Sequence, residues 1–229
     1  FTPRSWPSAI RKLIRLQPET ANVLRGDDVQ TVSIEELKPE DILLIRGGER
    51  VKIQSMTTTK TADVEATVRQ IDALEKAGCE IVRAAVSDEA DAAAVRAVKE
   101  RISLPLVADI HFSPSLAVAA IENGADKVRI NPGNIGGEKE IKYVADCIRA
   151  HRIPVRVGSN TGSIEPHFFE KYGRSEYALV ESALYNVGLL EKFGVENIVI
   201  SVKASDVPLT VRAYTLLAER TAYPLHVGK

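Results

Sequence analysis

From Val51 onward the hydrophobic positions repeat one pattern: a short aliphatic or β-branched run, a polar loop, then a longer stretch with apolar residues at helical spacing. The runs are VKIQS (51–55), EIVRA (80–84), PLVADI (105–110), KVRIN (127–131), PVRVG (154–158), NIVIS (197–201) and PLHVG (224–228). Helical patterns fill 63–77, 88–101, 113–123, 138–151, 175–193 and 206–220. Strands that alternate with helices predict parallel βα units. Ser113 before Pro114 reads as an N-cap ahead of a proline at the first helical position. Gly78, Gly124 and Gly194 each stand where a left-handed C-terminal cap is expected.

An open, doubly wound sheet and a barrel both accept this alternation. The informative polar residues fall at the carboxyl ends of successive strands, which favours an α/β fold of the incomplete TIM-type (β/α)8 barrel kind, with about seven strands. Residues 51–229 are fewer than the about 250 of a whole barrel. The eighth strand and the last two helices are therefore expected from the N-terminal segment, a partner or further sequence. An open edge leaves strand groups and apolar surface uncovered, so marginal stability is expected. The first residue is Phe1 rather than Met, so the chain reads as a processed or recombinant piece of something longer.

Residues 1–50 follow another pattern and are read as a separate appendage, with the barrel portion at 51–229. A basic amphipathic helix, SAIRKLIRL, leads into two or three short strands with a tight turn at Gly26-Asp27-Asp28. The stretch resembles the opening of the actuator domain of heavy-metal cation-transporting P-type ATPases. The resemblance rests on a T-A-x-V-x-R strand (20–25), an E-E-L-x-P-x-D turn (35–41) and an R-x-G-E-R strand (46–50). The T-G-E loop, membrane helices and D-K-T-G phosphorylation site of those proteins have no counterpart here. The resemblance therefore implies a β-rich module and no transport.

Composition narrows the function. Thirty Lys plus Arg against 31 Asp plus Glu leave a net charge of -1, so no overall field points to nucleic acid or an anionic membrane. With no long apolar run and no secretion signal, the reading is cytoplasmic. Cys79 and Cys147 show neither a disulfide framework nor metal-ligand spacing and read as buried free thiols.

The candidate chemistry gathers at the strand ends: Gln54 and Ser55, Arg83, Asp109 and His111, Arg129 and Asn131, Arg156 and Asn160, and Lys203. Four of these are cations, and around one barrel mouth they would repel one another unless an anion sat among them. Arginine forks match phosphate oxygens, Lys adds a point charge, and the two Asn amides can orient ester or hydroxyl oxygens. A diphosphate, a dinucleotide or a simple phosphate fits this set. In DKVRINPGNIGG (126–137), strand alternation puts Arg129 and Asn131 on one face. The glycines that follow would let backbone N–H groups approach an anion before the next helix. Plainer roles stand beside these: Asp109 as a cap or salt-bridge carboxylate, His111 as a hydrogen-bonded loop histidine, Lys203 as a Schiff-base former, and Thr57 to Thr59 as a cap for the helix that follows. His226 has no visible partner.

QSMTTTKT (54–61), AGCEIVRAAV (77–86), PLVADIHF (105–112), DKVRINPGNIGG (126–137), PVRVGSNTGS (154–163), EKYGRSEYALVESAL (170–184), SVKASD (201–206), AERT (218–221) and PLHVG (224–228) resemble, in order and spacing, the barrel domain of the 4-hydroxy-3-methylbut-2-enyl diphosphate synthases. The resemblance implies an oxidoreductase of non-mevalonate isoprene biosynthesis. Such an enzyme reductively opens 2-C-methyl-D-erythritol 2,4-cyclodiphosphate with a [4Fe-4S] cluster and electrons from ferredoxin or flavodoxin. It also implies diphosphate binding by Arg83, Arg129, Arg156 and Lys203, with Asp109, Asn131 and Asn160 beside them. In that family a glutamate in a T-E-A-G segment after the seventh strand lies in the active site, and three cysteines and a glutamate of a separate C-terminal domain hold the cluster, in the bacterial homodimer over the other subunit's barrel. Neither feature has a counterpart in this sequence. The expectation is a chain that binds the cyclic diphosphate, carries no metal or cluster and does not turn substrate over by itself. A non-catalytic anion-binding or scaffold fragment, and a cytosolic fragment related to a cation-transporting ATPase, are the alternatives.

Overall fold

β-branched residues dominate the strands and aspartate or serine caps open most helices, so element boundaries follow local chemistry closely. The structure, a computed structural model, describes residues 20–25, 28–33, 42–43 and 52–228. The helix expected at SAIRKLIRL, Gly26 and Asp27 of the expected turn, and the motifs at 35–41 and 46–50 lie outside the described residues. The chain divides into two compact units, the first ending at Lys52 and the second beginning at Ile53.

In the first unit, β1 (Thr20–Arg25) pairs antiparallel with β2 (Asp28–Ser33), from Thr20 opposite Ser33 to Arg25 opposite Asp28. On its other edge β1 meets β3 (Ile42–Leu43), with Val23 opposite Leu43.

The second unit is a parallel sheet of β4 (Gln54–Met56), β5 (Ile81–Ala85), β6 (Leu106–Asp109), β7 (Lys127–Ile130), β8 (Val155–Asn160) and β9 (Ile198–Lys203). Spatial order equals chain order. A doubly wound sheet would reverse direction at a switch point, whereas winding in one direction is barrel topology. The intervening helices are α1 (Val64–Lys76), α2 (Glu89–Lys99), α3 (Pro114–Glu122), α4 (Pro132–Ile135), α5 (Glu138–His151), α6 (Pro166–Tyr172), α7 (Glu176–Glu191) and α8 (Val207–Arg220). Two of them, α4 and α6, were not anticipated. Each opens on a proline at its first turn, and each is too short to carry a periodic apolar stripe.

Local chemistry explains the boundaries. Ser113 accepts from Leu116 N ahead of Pro114, as the sequence implied. Gly78, Gly124 and Gly194 all take positive φ, the left-handed conformation that ends a helix without a Cβ penalty. The cap of α1 is Asp63, whose carboxylate accepts from Ala66 N. Thr57 to Thr59 do other work. Thr57 N donates to Arg83 O, and Thr58 N and Thr59 N both donate to Gln70 Oε1, fastening the loop after β4.

The sheet has two unlike faces. Val82, Ala84, Leu106, Ala108, Val128, Ile130, Val155, Val157, Ile198 and Ile200 face the helices. They join Ile71, Val98, Ile121, Val144, Ile148, Leu179, Leu190 and Leu217 in one core. Full burial of each Val, Leu or Ile side chain among them stabilises by about 1.5–3 kcal/mol. The alternate positions make the polar, concave face. PLHVG is not a full seventh strand: Leu225 makes one isolated bridge to Ile200, through Ile200 N to Pro224 O at 3.0 Å and His226 N to Ile200 O at 2.8 Å. Pro224 has no N–H to offer a ladder and Gly228 no side chain to pack, so pairing stops there. Cys79 is buried, as expected, but Cys147 of α5 is only half-buried against the edge of the core.

Candidate anion site on the concave face

Strand register builds the site. Asp109 lies opposite Arg129 and Arg129 opposite Arg156, so three adjacent strands place these side chains in one row on the concave face. Arg83 starts one row lower, opposite Val107, and reaches up. Asp109, only 3% exposed, receives Arg129 Nη1 at 3.1 Å on Oδ1 and has Arg83 Nε 3.5 Å from Oδ2. His111 Nε2 stands 3.9 Å from the same Oδ2 on an otherwise exposed ring. Arg129 and Arg156 are 8% and 4% exposed.

The row therefore holds three guanidinium groups against one carboxylate. The Nε of Arg83, Arg129 and Arg156 and Nη1 of Arg156 are buried N–H groups with no hydrogen-bond partner. Buried donors are normally satisfied, and leaving one orphaned costs about 1–3 kcal/mol. Burial, reinforced by Arg83 and Arg129, brings the Arg156 pKa down to about 10, against a smaller opposing pull from Asp109. His226 is drawn into the same field. Desolvation, then Arg156, Arg83 and Lys127, depress its pKa to about 4, so the imidazole is neutral at physiological pH.

The remaining candidates are placed differently. Met56, rather than Ser55, is the β4 residue at the site: it lies opposite Arg83 and its Sδ accepts from Arg83 Nη2 at 2.9 Å. Gln54 is one row below Met56. Lys203 lies opposite Asn160, two rows beyond Arg156 on the same face; it is exposed and makes no ion pair among the described residues. Asn160 ends β8, its N–H held by Ser163 Oγ at 3.2 Å. Asn131 does not present its amide to the concave space. Its Oδ1 accepts from Gly133 N at 3.1 Å, capping α4, and its Nδ2 donates to Ser163 Oγ at 3.1 Å.

The glycine-rich turn likewise serves the protein itself. Gly133 N also donates to Asn186 Oδ1 at 2.6 Å, and a Cβ on Gly133 would sit 2.9 Å from Glu165 Oε1. Asn186 and Glu165 are the polar residues that the sequence reading missed. Asn186 sits inside the apolar pattern of α7, and only its complete burial, at 0% exposure, marks it out.

Neither thiol is near another metal-type donor set. Cys79 Sγ donates to Ile81 O, Cys147 Sγ lies 3.7 Å from His151 Nδ1, and no cluster of three metal-ligating side chains occurs among the described residues. These residues do not fit an iron–sulfur cluster. No helix among the described residues is long and apolar enough to cross a membrane.

A one-way parallel sheet with helices on its outer face and arginines on its inner face defines a TIM-type α/β barrel piece. More particularly, the chain belongs to the GcpE TIM-barrel domain family, whose model matches residues 40–229. It is 54% identical over 187 residues to a 4-hydroxy-3-methylbut-2-en-1-yl diphosphate synthase (flavodoxin) of Exiguobacterium sp., an alignment that covers 81% of this chain and 50% of that protein. It is also 54% identical to the enzyme of the same name from Caldicellulosiruptor saccharolyticus, covering 81% and 54%. The chain thus spans about half the length of these curated relatives. Among solved structures, Yersinia pestis dihydropteroate synthase superposes with a TM-score of 0.56 at 11% identity, covering 90% of this chain and 74% of that one, a likeness of fold alone.

Proposed function

We propose that residues 51–229 are the substrate-binding barrel of a 4-hydroxy-3-methylbut-2-en-1-yl diphosphate synthase of the flavodoxin-dependent kind, and that the concave face holds the diphosphate of 2-C-methyl-D-erythritol 2,4-cyclodiphosphate. The observation that carries this reading is the cluster of buried Arg129 and Arg156 with half-buried Arg83, two of which share Asp109, while all three retain unpartnered N–H groups. A diphosphate supplies the negative charge and acceptor oxygens that the row lacks. Arg83, Arg129 and Arg156 grip it from below, and Lys203 reaches it from the strand end. Asp109 keeps the arginines apart and oriented. Asn131 and Asn160 shape the rim.

The [4Fe-4S] cluster of the complete enzyme, which supplies the reducing electrons, belongs to parts of the protein other than these residues, as do the contacts with flavodoxin or ferredoxin and with a second subunit. The complete enzyme works in the cytoplasm, and this chain alone binds without turnover. The test is calorimetric titration of the chain with the cyclodiphosphate, beside Arg129→Ala. Saturable binding that the substitution weakens by about 2 kcal/mol or more is expected. A folded chain that does not bind would overturn the reading.

A further inference from the structure

Asn186 is fully buried on α7, and besides one bond back to its own helix its amide is directed at two loops that follow neighbouring strands. Its Oδ1 accepts from Gly133 N at 2.6 Å, in the turn after β7. Its Nδ2 donates to Glu165 Oε1 at 2.7 Å, in the segment after β8, and to Ser182 O at 2.8 Å. The amide cannot be turned round: a flipped Asn186 would set Nδ2 against an N–H and oxygen against a carboxylate. Asn131 and Ser163 tie the same two loops at a second point. Arg129 lies two residues before Asn131, and Arg156 lies on the strand that Asn160 and Ser163 terminate.

We infer that Asn186 is a positioning residue for the anion site, a buried clamp that holds the loops after β7 and β8 in register and so fixes the strand ends that carry Arg129 and Arg156. This rests on the diphosphate reading of the site. Gly133 belongs to the clamp, because a Cβ there would lie 2.9 Å from Glu165 Oε1 and 3.2 Å from Asn186 Oδ1 and would push both away. The residue is exposed, so its amide N–H would exchange with water freely but for the two side-chain oxygens it serves.

The chemistry suggests a swap as the test. Asn186→Asp keeps the acceptor for Gly133 N but sets a second carboxylate against Glu165. Adding Glu165→Gln restores the donor–acceptor pair between the two loops with the polarity reversed, and leaves only the bond to Ser182 O, within α7, unreplaced. Pyrophosphate affinity, Gly133 amide exchange and thermal unfolding are measured on the chain, on Asn186→Asp and on the double variant. The expected result is slow Gly133 exchange in the unaltered chain. In Asn186→Asp, affinity should fall about tenfold or more and exchange should quicken; both should recover in the double variant. A purely structural Asn186 would lower the unfolding temperature and leave affinity unchanged well below it. That outcome, or a folded double variant that recovers neither property, overturns the clamp. Fast Gly133 exchange in the unaltered chain also overturns it, whether or not the variants fold. An unaltered chain that ignores pyrophosphate counts instead against the diphosphate reading, and exchange at Gly133 then decides the clamp by itself.

Discussion

The guanidinium of Arg129 lies across Gly158 of the neighbouring strand, so close that a Cβ built on Gly158 would sit 2.7 Å from Nε, 2.9 Å from Nη2 and 3.2 Å from Cζ. Gly158 follows Arg156 by two residues on the same face of β8, and the missing side chain is the space that Arg129 uses. Gly158→Ala would normally suit a strand, since alanine costs less backbone entropy. Here it should push Arg129 off Asp109 and weaken pyrophosphate or cyclodiphosphate binding by about 1–3 kcal/mol, the usual cost of overpacking. Calorimetry of the variant checks this, and unaltered affinity would show that Arg129 does not need this seat.

Arg156 is a costly charge to bury. It lies beside two like charges, and its pKa falls from the ordinary guanidinium value to about 10. Both folded and unfolded chains bind this proton below pH 10, so the full penalty of the buried charge is present at neutral pH. Above pH 10 the folded state releases the proton before the unfolded one does, and stability rises with pH. Arg156→Met should therefore raise the unfolding free energy of the ligand-free chain at pH 7 by roughly 1–3 kcal/mol while abolishing anion binding. Denaturant unfolding with and without pyrophosphate separates the two effects. A variant that is less stable than its parent would show that Arg156 is adequately paired.

How far the sequence carries to these groups depends on the range of the interaction. Asp109, Arg129 and Arg156 could be gathered from the sequence because each stands near the carboxyl end of its strand, and the register of β6, β7 and β8 sets them side by side. Strand alternation put Asn131 beside Arg129, but it could not show the cap that Asn131 makes. Pro132 turns the chain into α4 immediately after it, and the amide is used as a helix cap. Asn186 meets Gly133 only through tertiary packing and has no local signature, whereas in PLHVG the proline and glycine that end its pairing are local signals that the strand reading passed over. Met56 escaped notice because a thioether seldom signals a polar site, although it is the contact that Arg83 makes on β4.

His226 should report on the occupant of the site. Its folded pKa, about 4, is below the ordinary value of 6.5, so on acidification the unfolded chain takes up this proton first. The contribution to stability is complete above pH 6.5 and is lost as pH falls toward 4. It should amount to about 1 kcal/mol at this half-buried ring once solvent screening is allowed for. His226→Gln should flatten that limb of the stability profile. Bound pyrophosphate offsets the charges of Arg156 and Arg83, so the His226 imidazole should titrate at a higher pH in the complex, a shift visible by NMR. An unmoved titration would place the anion elsewhere.

Among the described residues, Asp109 is the one carboxylate that meets both Arg129 and Arg83. If it merely stitched one surface ion pair, Asp109→Asn would cost at most about 1 kcal/mol. At 3% exposure, with Arg156 close enough for its proton affinity to feel the charge, Asp109 acts as the internal counter-ion of the row. Asp109→Asn leaves two buried cations and the half-buried Arg83 facing one another and should destabilise the ligand-free chain by about 3–5 kcal/mol. An added diphosphate replaces the missing charge, so the stabilisation that accompanies binding should be larger in the variant than in its parent at equal ligand concentration. Thermal unfolding across a pyrophosphate series measures both quantities. A variant that loses stability but gains no more from pyrophosphate than the parent would mean that the anion does not neutralise this row.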